Sequence, residues 1–310
     1  MPHVTFIHGI GNKPPTDALL NLWLDALGDG DDPLPLAALG VTSGMVYWAD
    51  VLHAAPDTDI AAYKSVDEDG RSRLDGADEV DDFVPAGGEG AAFVARLRAT
   101  LGGTSEDERE MPDAGPETEG IGLKRVPLPW FLKRRILRTF LRDVHHYLFD
   151  VEFSPRPGAT YRVQQEIRAR VAAAVDSRSV TPPHVVVSHS MGTVIAYDCL
   201  KRVAAVGAVD GLVTLGSPLG LDEIQDRLTP GWTREDGFPS ERVRLGWTNG
   251  FDGLDVVCGL DPRLADDYRR AGSDVVVDVS VRNDGAWRHS IGKYLRQSAV
   301  RLALRQALGV

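Results

Sequence analysis

The chain is poor in cysteine, in basic charge and in long apolar runs, and each shortage excludes something. Two cysteines, Cys199 and Cys258, in 310 residues cannot build a disulfide framework, so reduced and partly buried thiols are expected. No run of about 18 apolar residues exists, which argues against stable membrane insertion. No basic segment followed by an apolar run opens the chain, so no secretory signal is visible and a cytoplasmic location is the expectation. Lysine and arginine total 34 against 45 aspartates and glutamates, a net charge of −11, so no bulk cationic face exists to grip nucleic acid. A glycine-rich phosphate loop with a following lysine is also missing, and no cofactor is expected. The neighbouring His145 and His146 project from different faces of a helix, so no metal site is expected there.

What is present is enough apolar residue, 43 %, for a full core. The charge is unevenly spread. Residues 57–119 hold 18 acids and 6 bases, whereas residues 120–150 hold 7 bases and 2 acids. An acidic block of −12 therefore precedes a basic block of +5, leaving the rest near neutrality.

The apolar pattern alternates between short β-branched runs and stretches of helical spacing. Val4–Ile7 reads as a buried strand ending in His8-Gly9-Ile10-Gly11. A helix follows through Leu19, Leu20, Trp23, Leu24 and Leu27, with Thr16 or Asp17 as its cap, and Val41–Trp48 reads as a strand. Residues 57–119 read as a solvated loop with a short helical piece near Val94–Leu97. Trp130–Phe149 is an amphipathic basic helix, apolar at Ile136, Phe140 and Val144. Then come a helix over Tyr161–Val175, a strand at Val185–Val187, a helix over Thr193–Val203 and a strand at Leu212–Leu215. Strands at Leu245–Thr248 and Val275–Val281 and a helix over Ile291–Leu308 complete the series. This alternation predicts an α/β fold with a mostly parallel central sheet flanked by helices.

Ser188-His189-Ser190-Met191-Gly192 sits between a strand and a helix. A serine hydroxyl becomes a nucleophile only when it is held exposed beside a base. A sharp strand-to-helix turn does the holding, and it needs small residues two before and two after the serine, here Ser188 and Gly192. An oxyanion formed by attack at Ser190 needs preorganised N–H donors. The backbone N–H groups of Met191 and of Ile10, in the first glycine turn, are the candidates.

With His8-Gly9-Ile10-Gly11, His189-Ser190-Met191-Gly192, Gly216-Ser217-Pro218, Asp255-Val256-Val257 and His289, the chain resembles the α/β-hydrolase superfamily, in particular small bacterial serine lipases and esterases. The resemblance spans about residues 1–50 and 155–310. It departs at Ser188, where most members carry glycine. It implies an α/β-hydrolase fold that lacks two leading strands, and a chain order of nucleophile, acid, histidine. Asp252 and Asp255 both stand after the Leu245–Thr248 strand. The apolar pair after Asp255 favours it, with Asp252 as the alternative acid. His289 is the sole histidine after Ser190. Its implied role is general base on Ser190 and then general acid toward the leaving group. His8 is expected to support the oxyanion loop, and His189 to point away from Ser190 and act structurally.

The expected organisation is one domain over residues 1–310 with an insert at about 52–150. The expected activity is hydrolysis of a small-molecule carboxylic ester through Ser190, Asp255 and His289. Acyl transfer or amide cleavage on the same triad, and a binding module with a decayed site, are the alternatives. For the basic helix three readings stay open: a lid over an acyl pocket, a permanently packed helix, and an interfacial helix on anionic lipid. The acidic block is expected to contact it.

Overall fold

The computed structural model describes residues 1–69, 83–85, 87–102, 130–176, 181–285 and 287–310. In chain order the elements are β1 (His3–Ile7), α1 (Thr16–Gly28), β2 (Thr42–Val46), α2 (Ala49–Leu52), α3 (Ile60–Asp69), α4 (Gly88–Gly102) and α5 (Trp130–Leu148). They continue with β3 (Glu152–Arg156), β4 (Ala159–Arg162), α6 (Val163–Ala174), β5 (His184–His189), α7 (Met191–Arg202), β6 (Val209–Leu215), α8 (Asp222–Leu228), β7 (Val243–Phe251), β8 (Val276–Ser280), α9 (Ile291–Arg296) and α10 (Ser298–Leu308).

Six strands form one sheet in the order β2-β1-β5-β6-β7-β8, and every neighbouring pair is parallel. The central strand β5 is β-branched on both faces because helices cover both. Along β5 the alternation is visible. Val185 and Val187 join the core under α1, α9 and α10 with Trp23, Ile291 and Leu304. Val186 joins the core under α4 to α8 with Phe93, Phe140, Ile167 and Ile195.

Register brings the strand ends level. Ile7 stands between Val46 and Ser188, His189 pairs with Leu215, Leu215 with Gly250, and Phe251 with Ser280. The turns after β1, β5, β6, β7 and β8 therefore share the carboxyl edge. The chain runs outward from β1 to β2 and then returns to the other side of β1 at β5. Such a reversal opens the crevice in which α/β proteins place their sites.

Several boundaries differ from the sequence reading. Helix α1 begins at Thr16 behind Pro15, and neither Thr16 nor Asp17 caps it by a side chain. The hairpin β3–β4 precedes α6, so Tyr161 is in a strand rather than a helix. The closing helix is two helices, broken at Gln297. Helix α4 is 15 residues long rather than a short piece, and α3 is helical where a loop was expected.

Helix α5 is amphipathic as expected, and its described side chains, from Leu137 onward, answer the question of packing. Phe140, Leu141 and Val144 are fully buried. At about 1.5–3 kcal/mol for each buried side chain, undocking these three alone costs roughly as much as a whole domain's net stability. This half of the helix is packed into the core. Helix α4 meets it through apolar groups, and Phe93 stands edge-on, at 5.4 Å, to Phe149 just beyond the end of α5. Among the described residues of the acidic block, Glu89 pairs with Arg227 of α8 and not with α5. The block's remaining charge falls largely outside the described residues. Among the described residues no helix is long and apolar enough to cross a membrane.

Candidate active site

Ser190 follows directly on β5 and precedes α7, with φ 55° and ψ −132°. A non-glycine residue at positive φ is strained by about 1–3 kcal/mol and persists only where its surroundings over-determine it. Here they do. The Ser190 N–H donates to the Leu215 carbonyl at 3.0 Å. The Thr193 hydroxyl, one helical turn on, donates to the Ser190 carbonyl at 2.7 Å. Sterics complete the turn: a Cβ on Gly192 would lie 2.4 Å from the Ile7 carbonyl oxygen, and one on Gly9 would lie 2.7 Å from Ser190 Cβ. Ser188 is buried and directs its hydroxyl to the Val213 carbonyl at 3.4 Å.

The sequence-predicted base and acid meet. His289 Nδ1 lies 2.8 Å from Asp255 Oδ2. Asp255 is fully enclosed, and its other oxygen accepts the Val257 N–H at 2.8 Å. Burial pushes the carboxyl up, but the facing His289, with the bonds from His289, Val257 and Tyr294, outweighs it and holds Asp255 at about 2. An ionised Asp255 fixes the proton of His289 on Nδ1, which leaves Nε2 as an acceptor.

Gly216, at φ 55°, joins the two halves of the site. A Cβ there would lie 3.0 Å from Asp255 Oδ2 and 3.1 Å from His289 Nδ1. The preceding carbonyl, that of Leu215, is the one that holds the Ser190 N–H. Serine and histidine therefore both adjoin the Leu215–Gly216 peptide. Ser190 Oγ and His289 Nε2 are both buried and neither has a hydrogen-bond partner, so the two are not bonded to each other in this state.

Asp252, the alternative acid, does a different job. Its carboxylate accepts the N–H groups of Leu254 (2.8 Å) and Asn283 (2.7 Å) and pairs with Arg288 at 3.1 Å. It ties the end of β7 to the loop that carries His289.

The glycine turn after β1 is pinned by His8. The imidazole Nε2 accepts the Trp48 N–H at 3.0 Å and Nδ1 donates to the Gly9 carbonyl at 2.8 Å. Burial, then the nearby Lys13, hold His8 well below its usual range, so it is neutral and can accept that bond. Met191 follows Ser190 directly and Ile10 follows Gly9, which abuts Ser190; among the described residues neither N–H has a hydrogen-bond partner. The ring of His189 packs 4.6 Å from that of His289, with Trp23 edge-on to it. Burial, then the neighbouring imidazole of His289, hold His189 well below its usual range.

Sequence reasoning missed Tyr294, whose hydroxyl donates to Asp255 Oδ2 at 2.7 Å and accepts the Asp252 N–H at 3.1 Å. Nothing in the pattern of α9 marks it. It also missed Asp143, whose one signal is that it is an acid inside a basic helix. Among the described residues no group of three or more His, Cys, Asp or Glu is arranged to hold a metal.

No known family model matches the chain, and no curated protein matches it. Among solved structures it is similar to acetyl xylan esterase 1 from a Thermoanaerobacterium species. The identity is 12 % and the TM-score 0.35, over all of this chain and 74 % of that one. Likeness at that level carries no weight for the site, which stands on its own geometry.

Proposed function

We propose that the protein is a serine hydrolase of the α/β-hydrolase kind, acting on carboxylic esters through Ser190, His289 and Asp255. One observation carries the reading. A strained serine with an unpartnered hydroxyl shares the Leu215–Gly216 peptide with a buried His–Asp pair.

In this reading Ser190 Oγ attacks the ester carbonyl while His289 Nε2 takes its proton. Asp255 holds the tautomer and balances the imidazolium. The N–H groups of Ile10 and Met191 receive the oxyanion, each such donor contributing about 10²–10³ in rate. His289 returns the proton to the departing alcohol, and water releases the acyl group by the same steps in reverse. Both reacting atoms are shielded from solvent, so ester admission requires the covering groups to move, and apo geometry commonly leaves such pairs open.

The test is hydrolysis of p-nitrophenyl esters together with labelling by a fluorophosphonate. Ser190→Ala should lose labelling and essentially all turnover while keeping its melting temperature. Asp255→Asn should keep the fold and lose about 10³–10⁴ in kcat, because the wrong tautomer of His289 is then favoured. Undiminished turnover in Ser190→Ala would overturn the reading.

A further inference from the structure

We propose that Asp143 is a positioning residue for the oxyanion loop, so that the inserted helix α5 is part of the catalytic apparatus. This rests on the reading of Ser190 as nucleophile and of the Ile10 N–H as an oxyanion donor.

The loop has two peptide groups to hold. The first, Gly9–Ile10, carries the donor N–H, and its carbonyl is held by His8 Nδ1 at 2.8 Å. The second, Ile10–Gly11, has its carbonyl held by Lys13 Nζ and its N–H by Asp143 Oδ2 at 2.8 Å. Gly11 sits at φ 79°, outside the range of a regular strand or helix. Nothing in the sheet ladder holds a turn of that shape, so it depends on partners from outside. If the second peptide rotates, the backbone angles at Ile10 change with it and the donor N–H swings away from Ser190.

Asp143 is well suited to prevent that. Its side chain is completely enclosed, and its second oxygen is taken up by Arg142 Nε at 2.8 Å. Phe140, Leu141 and Val144 fix its helix in the core, and Thr139, one turn earlier on the same face, lies against Gly11. Burying a carboxylate is expensive, and an apolar side chain serves helix packing better. The placement makes sense if the carboxylate is there for the Gly11 N–H. Asp143 touches no substrate; it acts through the backbone of the loop.

The experiment uses the full chain and compares wild type, Asp143→Leu, Asp143→Asn and Ser190→Ala. The readouts are kcat and KM on a p-nitrophenyl ester, normalised by active-site titration, and the affinity for a trifluoromethyl ketone, whose adduct places an oxyanion in the site. Asp143→Leu should lose about 10–100-fold in kcat and in ketone affinity, somewhat less than deletion of a donor, with KM nearly unchanged. Asp143→Asn keeps an acceptor oxygen for Gly11 and should fall between the two, at roughly 3–10-fold. A purely structural role lowers the melting temperature and the titrated fraction and leaves kcat per active site and ketone affinity alone, which would overturn the proposal. Should the leucine variant fail to fold, the asparagine variant decides by the same comparison, and kcat and ketone affinity within about twofold of wild type overturn it. If Ser190→Ala is dead while both Asp143 variants match wild type, the anchor fails and the hydrolase reading stands. If Ser190→Ala stays active, both fail.

Discussion

The turn that carries Ser190 and the turn that carries His289 are built by opposite means. The first is steric. Its backbone is forced to φ 55°, and two glycines let strands and helix crowd against it, at positions where a Cβ would come within 2.4 and 2.7 Å of its neighbours. The second is polar. Asp252 grips it at Asn283 and Arg288, Asn283 Nδ2 bridges to the Arg288 carbonyl at 2.7 Å, and Lys293 Nζ donates to the carbonyls of Asp284 (2.8 Å) and Trp287 (2.9 Å). A steric turn fails all at once when one atom is added. A polar one fails by degrees, because each bond carries a part of the load.

The largest effect should come from adding that atom. In Gly192→Ala the new Cβ meets two backbone carbonyls, those of Ile7 and His8 at 2.4 and 2.6 Å, and neither can rotate aside. The start of α7 has to move, and with it Ser190 and the Met191 N–H. A displacement near 1 Å costs about 10² in rate or more. Overpacking adds about 1–3 kcal/mol of destabilisation. Kinetics on active-site-titrated protein and a thermal melt check both. An alanine variant with wild-type kcat would mean that the elbow is not sterically held.

The same contrast explains what could be read from the sequence. Steric devices leave local marks: a β-branched run, small residues at fixed offsets and a serine between them, all within Val185–Gly192. The α/β architecture was legible for the same reason, since burial on both faces makes each strand a short apolar run. Polar devices act across the chain. Gly11 and Asp143 are 132 positions apart, and Asp255 and Tyr294 are 39 apart. No spacing rule links them. The apolar pair after Asp255 is the one mark that separates it from Asp252 in the sequence, and the partners of each are brought by the fold. The hairpin Glu152–Arg162 was hidden because its first strand contains Pro155, and the break at Gln297 because neither glycine nor proline marks it.

A mid-sized effect should come from the polar turn's main grip. In Asp252→Ala the Asn283 and Leu254 N–H groups and Arg288 lose their acceptor in a buried setting. Stability should fall by about 2–4 kcal/mol. His289 keeps Asp255, so kcat should fall only about tenfold through looser placement. The melting temperature is thus hit harder than the chemistry, the reverse of Asp255→Asn. A loss of 10³ or more in kcat with an unchanged melt would make Asp252 the triad acid instead.

The smallest effect should come from a single link. Tyr294→Phe removes one donor from Asp255 Oδ2 and one acceptor from the Asp252 N–H, while His289 and Val257 keep their bonds to Asp255. A hydrogen bond to a charged group contributes about 1.5–3 kcal/mol, part of which the remaining donors recover, so kcat should drop roughly 3–10-fold. The pH dependence follows from Asp255 being held at about 2. An acid with a depressed folded value adds stability that is complete above its unfolded value, near 4, and is lost as the pH falls toward 2. Taking away the phenol raises the folded value toward the unfolded one. Tyr294→Phe should therefore unfold at a higher pH on acidification, with little change between pH 6 and pH 8. Steady-state kinetics at pH 8 and an acid titration of unfolding from pH 5 to pH 2 read the two effects separately. An all-or-none collapse of activity would show that the His289 turn is as brittle as the Ser190 turn, and the distinction between steric and polar construction would be lost.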